Sequence, residues 1–223
     1  MARRGNQGGT RTNPRTGAEH RVGRLVVLTA PSGAGKSTIA RKLLARFPEL
    51  VFSVSATTRA PRAGEQNGRE YVFLSEAEFR RWAAEGKLLE WEEVYPGILY
   101  GTPREPVERA LREGRTVLLD LDVNGARRLK ERFGDQALAI FLAPPSLEAL
   151  AERLRARGTE TEQSLQMRLE RARLELRLAH AFDLTVVNDD LCRAADETAH
   201  LVAAFMRKTK PMESKAAGDP HAS

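Results

Sequence analysis

The stretch Ala30-Pro31-Ser32-Gly33-Ala34-Gly35-Lys36-Ser37-Thr38 stands between an apolar run, residues 24–30, and a helical pattern over residues 36–47. Its spacing is that of a phosphate-binding loop, G-x-x-x-x-G-K-[ST], with Ala30 where the first glycine usually stands. A small residue there still starts the turn. Gly33 and Gly35 let the backbone turn tightly, so that consecutive N–H groups point at one anion. The helix that follows presents its N-terminus to the same charge. Lys36 is placed to bridge the outer phosphates of a nucleoside triphosphate, and the Ser37 hydroxyl to reach a Mg²⁺ held with them. The competing reading is a glycine-rich turn that opens any helix. Position decides between the two: a strand suited to burial on both faces comes before the stretch and a helix after it.

Outward from this loop, strand-like and helix-like patterns mostly alternate. Residues 51–56 read as a strand and residues 71–74 as another, separated by a polar loop. Ser75 and Glu78 form a capping box that opens a helix closed by Gly86. Residues 88–95 look extended, and Thr102, Pro103 and Glu105 read as a further helix start with Gly114 as its stop. Residues 116–121 and 137–142 are buried strands, followed by helices over 146–157 and 162–181, a strand over 184–187 and a helix over 193–206. The expected fold class is α/β: a parallel sheet of the P-loop NTPase type flanked by helices, with a mostly β insertion over about residues 53–102 and a helical lid over about 153–170.

Composition bounds the rest. The chain has 223 residues, enough for one full domain, and 41% of them are hydrophobic, as in a globular core. One cysteine, Cys192, excludes an internal disulfide and any zinc site built on paired cysteines. No apolar run approaches a membrane span. The expected location is therefore the cytoplasm, with no membrane partner. The net charge is +6, yet residues 1–24 alone carry six arginines against one glutamate, so the body is nearly balanced. Residues 1–22 are expected to be a disordered basic tail and 208–223 a second flexible tail, leaving 23–207 as the folded domain. Transient RNA or phosphate binding is the alternative for the first tail. No specific nucleic-acid partner is expected.

The second informative stretch runs from Ser53 to Phe73. Arg59 and Arg62 are three apart in a Pro/Gly loop and can converge on one phosphate dianion, and Tyr71 can add a neutral O–H donor. A solvated basic loop is the plainer reading of spacing alone. The stretch closely resembles the acceptor loop of the guanylate kinase family, S-x-S-x-T-T-R-x-P-R-x-G-E-x-x-G-x-x-Y-x-F, at every defined position. The resemblance continues through Glu90-Trp91, Tyr100-Gly101-Thr102, Asp120-Leu121-Asp122, Ala143-Pro144-Pro145-Ser146, Arg157-Gly158-Thr159-Glu160-Thr161 and Val187-Asn188-Asp189-Asp190. It implies that Arg59, Arg62, Tyr71 and Tyr100 hold the phosphate of GMP, and that Glu90, Ser55, Thr102 and Asp122 read guanine. One carboxylate can accept from N1–H and the 2-amino group together, and a hydroxyl can donate to O6. Adenine in the same pocket leaves buried polar groups unpaired. Without the resemblance, Glu90 is one carboxylate in an acidic cluster with Glu92 and Glu93.

Asp120 and Asp122 close a buried strand, where open α/β sheets place ligands, and Asp120 can organise Mg²⁺ and its waters. Capping or a turn is the alternative. Asn124 stands where many relatives carry glutamine. Arg153 and Arg157 share one face of an expected helix, with Arg168 beyond the Gly158-Thr159 break. A solvated charged face is the default for this arginine-rich region, and Arg155, Arg171, Arg173 and Arg177 are assigned to it. The resemblance implies that Arg153, Arg157 and Arg168 reach the triphosphate or the transferring phosphoryl group from the lid, where cationic charge stabilises the transition state.

The expected activity is transfer of the ATP γ-phosphoryl group to GMP, with Lys36, Arg59, Asp120, Arg153, Arg157 and Arg168 as catalytic residues, residues 30–38 as the ATP loop and Mg²⁺ as cofactor with ATP. Three alternatives stand beside it. A P-loop kinase for another phosphorylated acceptor lacks a use for the Glu90, Thr102 and Ser55 set. A non-catalytic protein-binding module of the same family lacks a use for intact Lys36, Arg59 and Arg62. A nucleic-acid binder would act through the basic tail. Monomer or homo-oligomer stays open.

Overall fold

β1 (Arg24–Thr29) is apolar without interruption, and its pleat sends alternate side chains to opposite faces of the sheet. Leu25 and Val27 enter one core, with Val117, Leu119, Phe141, Val107 and Leu129, while Val26 and Leu28 enter another, with Ile39, Leu43, Ile140, Leu150 and Val202. Such a strand must be covered on both sides. In the computed structural model, which describes residues 22–62, 64–156 and 161–207, it lies at the centre of a five-stranded sheet. The order is β2 (Val51–Phe52), β7 (Thr116–Leu121), β1, β8 (Ala137–Ala143), β9 (Leu184–Val187), and every pair is parallel. Val26 sits between Leu118 and Leu138 in register. The helices are α1 (Lys36–Arg46), α3 (Arg104–Arg112), α4 (Val123–Phe133), α5 (Leu147–Arg155), α6 (Glu162–Arg177) and α7 (Leu191–Arg207). The fold is α/β with a parallel central sheet flanked by helices.

A second, four-stranded sheet leaves the first between Phe52 and Ala56. Its order is β4 (Val72–Phe73), β3 (Ala56–Thr57), β6 (Ile98–Pro103), β5 (Leu88–Tyr95); β3 and β4 are parallel and the other pairs antiparallel. The sheet closes over α2 (Glu76–Ala84), whose Phe79 is fully buried against Ala56, Leu88 and Leu99. The capping box at Ser75 is present with both of its bonds.

Several expectations change in detail. The strand expected over 51–56 is two strands in different sheets, because Ser53 donates to Leu118 of the core while the Ser55 carbonyl accepts from Val72 of the second sheet. Thr102 does not open a helix: β6 runs through it to Pro103, which caps α3 without a side-chain bond. α4 was not expected. Its apolar period of Val123, Ala126 and Leu129 is present but carries Gly125 in the first turn. The helix expected over 162–181 ends at Arg177 and gives way to a 3-10 turn, Ala179–Ala181. The two expected tails lie outside the described residues, Val22 excepted, as do Arg157, Gly158, Thr159 and Glu160.

Candidate active site

Gly33 and Gly35 both adopt the left-handed conformation, at φ 98° and 94°. At Gly35 a Cβ would also meet the Asn188 Nδ2 at 2.4 Å, so only glycine fits. Asn188 donates through Nδ2 to the Ala34 carbonyl at 2.7 Å, tying the end of β9 to the loop, and its buried Oδ1 has no partner. No side chain caps α1 at Gly35. The first N–H groups of the helix are thus available to an anion.

Lys36, at the start of α1, reaches back under the loop. Its ammonium lies 2.5 Å from Asp120 Oδ1 and donates to the Leu121 carbonyl. The Ser37 hydroxyl donates to Asp120 Oδ2 at 3.1 Å. Asp120 therefore binds both loop residues at once. From α6, Arg168 donates to the Ser32 hydroxyl at 2.7 Å, and from α5, Arg153 donates to the Asn188 carbonyl at 2.8 Å. Both arginines thus meet the phosphate loop or the residue that braces it.

On the second sheet, Arg59 is held as a fork. It donates to both Glu65 oxygens, at 3.0 and 2.9 Å, and through Nε to the Tyr100 hydroxyl at 3.2 Å. Its guanidinium lies over the Tyr71 and Phe73 rings, 5.2 and 5.7 Å from their centroids. Arg59 holds the Glu65 carboxyl below the usual carboxylate range. Burial foremost, with the Asp120 charge next, pushes the Tyr71 hydroxyl up to about 12, so it stays a neutral donor. Arg62 is exposed; its backbone N–H donates to the Glu65 carboxylate and its carbonyl accepts from the Glu65 backbone N–H. Ser55 is half-buried beside β3. The structure thus brings Arg59, Tyr71 and Tyr100 together and leaves Arg62 at the rim.

Among the described residues Glu90 is the most buried charged group, 7% exposed. Thr102, fully buried, donates to its Oε1 at 2.6 Å, which is why this threonine is unavailable as a cap. Burial drives the Glu90 carboxyl up to about 7, the Asp122 and Glu92 charges add to that, and Thr102 and Arg128 oppose it. Asp122 caps α4, its Oδ1 accepting from Asn124 and Gly125 at 2.9 and 3.0 Å. Its capping role and its place beside Glu90 coexist. Gly125 was missed by the sequence reading. A Cβ there would stand 2.5 Å from Glu90 Oε2 and 3.4 Å from Asp122 Oδ2. A glycine inside a helix was the available signal. If Glu90 reads guanine, as the resemblance implies, Gly125→Ala is expected to raise KM for GMP about tenfold, because Glu90 must move, with KM for ATP unchanged. Steady-state kinetics with each substrate varied in turn checks this.

One assignment is corrected. Arg173 pairs with Glu170 on the surface, but Arg171 is not on a solvated face. It is half-buried, bonds Glu175 at 2.7 Å, donates to the Val94 carbonyl and lies 5.2 Å from the Tyr95 ring centroid. It anchors α6 to β5. Helical spacing alone gave no sign of that neighbour.

The fold agrees with what the chain is similar to. A family model described as guanylate kinase matches residues 22–208. The chain belongs to the guanylate kinase family. It is 51% identical over 180 residues to the guanylate kinase of Synechocystis sp., covering 81% of this chain and 93% of that one. With the guanylate kinase of Salinibacter ruber the identity is 53% over 182 residues, covering 82% and 96%. The crystal structure of guanylate kinase from Anaplasma phagocytophilum superposes with a TM-score of 0.70 at 36% identity, covering 85% of this chain and 89% of that one. The guanylate kinase match spans both sheets, the phosphate loop and α5 to α7.

Proposed function

We infer that this chain is a nucleoside monophosphate kinase that transfers the γ-phosphoryl group of ATP to GMP, giving ADP and GDP. One arrangement carries the reading. At the end of β7, Asp120 binds Lys36 and Ser37 of the phosphate loop, and two residues on Asp122 stands against the Glu90 pocket. Donor and acceptor sites therefore meet at the carboxyl ends of the central strands, where this kind of sheet binds ligands.

On this reading residues 30–38 wrap the ATP phosphates, and Arg59, Arg62, Tyr71 and Tyr100 hold the GMP phosphate. Glu90 accepts from N1–H and the 2-amino group of guanine, with Ser55, Thr102 and Asp122 completing the pocket. Lys36, Arg153, Arg157 and Arg168 set positive charge around the transferring group. The step is direct in-line transfer, in which positioning and electrostatic stabilisation supply the acceleration. Residues 53–102 are proposed as the GMP-binding part, 153–170 as the lid and 23–207 as the whole kinase domain. Lid closure over the phosphates keeps water from competing with GMP.

The Ser37 hydroxyl and the Asp120 carboxylate, in direct contact, form an all-oxygen pair that suits Mg²⁺ shared with substrate phosphates. When bound, Mg²⁺ neutralises charge on the β- and γ-phosphate oxygens. Ser37 would hold it, with Asp120 placed to order its waters. Among the described residues no helix is long and apolar enough to cross a membrane. The cytoplasm is the proposed location.

Guanine binding needs the Glu90 carboxylate ionised, so KM for GMP is expected to fall about tenfold between pH 6 and 8, with its midpoint near 7. The second ionisation of the GMP phosphate, at about 6, adds only about a further twofold. Stability of the unliganded protein carries the opposite sign. The folded Glu90 carboxyl titrates above its ordinary 4.5, so its contribution is full below that pH and is lost as pH rises through 7.

The deciding assay is ADP release from ATP and Mg²⁺ with GMP, AMP, CMP and UMP as acceptors. Turnover with GMP alone is expected. Well-folded protein without GMP-stimulated turnover would sink the assignment.

A further inference from the structure

We propose that Arg128, on α4, is a specificity-determining positioning residue that holds the Glu90 carboxylate ionised and aimed for guanine. The proposal rests on the reading of Glu90 as the guanine acceptor. Two contacts to the residues that follow Glu90 along β5 fix the Arg128 guanidinium: Nη2 donates to the Trp91 carbonyl at 2.7 Å, and Nη1 pairs with Glu92 Oε2 at 2.8 Å. So placed, Nη2 lies 3.7 Å from Glu90 Oε2. That distance is too long for a hydrogen bond but still within ion-pair range, so Arg128 supplies charge without occupying the lone pair guanine needs. Thr102 occupies only one site on the other oxygen. Both oxygens keep room for the two donors of guanine.

The charges around Glu90 make this cation necessary. Burial foremost opposes its ionisation, and Asp122 at the start of α4 and Glu92 on β5 add to that. The neighbouring arginines are engaged on other backbone carbonyls of β5: Arg132 of α4 on Leu89, Arg104 of α3 on Leu88, and Arg171 of α6 on Val94. β6 contributes the Thr102 hydroxyl, and α2 meets β5 through the Phe79 and Trp91 rings. Arg128 is the cation that favours the charged form of Glu90. Nothing in the sequence pattern pointed to it, since Arg127 and Arg128 look alike on a charged helix, and Arg127 pairs instead with Glu131.

The test uses the full chain carrying Arg128→Gln, which keeps a donor for the Trp91 carbonyl but removes the charge, with Arg128→Lys as the conservative variant and Glu90→Gln as reference. KM and kcat for GMP are measured from pH 6 to 8.5 at saturating ATP, with thermal melting as a check on folding. Arg128→Gln is expected to raise KM for GMP about tenfold at pH 7 and to move the midpoint of its pH profile up by about one unit, shrinking the defect at pH 8.5. Arg128→Lys is expected to restore most of the shift. A loss independent of pH, or no loss, while Glu90→Gln still weakens GMP, overturns the proposal alone. If Glu90→Gln leaves KM for GMP unchanged, the guanine reading of Glu90 falls and the proposal falls with it.

Discussion

Lys36→Ala is expected to lower kcat by about 10³-fold, the loss typical of removing one preorganised group that stabilises transition-state charge. Lys36 belongs to the loop, and its ammonium is held by Asp120 and the Leu121 carbonyl before any nucleotide arrives. The ammonium is thus already held beside the loop, where it can exchange part of that pairing for charge developing on the phosphoryl group. The substitution also leaves Asp120 without its cation beside the triphosphate, which adds repulsion at the same point. Single-turnover kinetics separates this from nucleotide affinity, which is expected to weaken far less. A kcat within tenfold of the parent would remove Lys36 from the transition state.

Arg59→Met is expected to raise KM for GMP about 10²-fold, with a smaller fall in kcat, because a bidentate charge-assisted contact to a dianion is lost. In the unliganded protein Glu65 occupies that fork, so the GMP phosphate must exchange with or share it. The methionine leaves the Glu65 carboxylate facing the site without its cation, and that charge repels phosphate. Arg59→Lys is expected to recover little, since an ammonium cannot match the planar fork or span Tyr100 and the Tyr71 and Phe73 rings together. Equilibrium titration with GMP, in the absence of ATP, measures the effect directly. Equal GMP affinity in parent and Arg59→Met would place the phosphate elsewhere.

Much of the fold was legible because its signals are local. The run of β1, the two loop glycines and the Ser75–Glu78 box each rest on neighbours within a few residues. The acceptor loop was legible through resemblance, since nothing local distinguishes Glu90 from Glu92 and Glu93. Less visible were places where one residue answers to two surroundings. Thr102 has the look of a helix cap, but its hydroxyl is committed to Glu90 across β6 and β5. Residues 51–56 read as one strand because alternation says nothing about which sheet a strand joins.

The sequence by itself determined the phosphate loop and the parallel α/β plan, because spacing and apolar pattern along the chain are enough to place them, whereas the acceptor residues were named through resemblance. Tertiary structure alone decided which charges face each other. Arg171 and Arg173 stand two apart on α6, yet one is drawn beneath Tyr95 and the other stays at the surface. Gly125 and Arg128 acquire their meaning only when α4 packs against β5, which brings residues some 35 positions distant to the Glu90 carboxylate. Electrostatics and close packing depend on distance through space, and the order of residues does not contain that distance until the chain has folded.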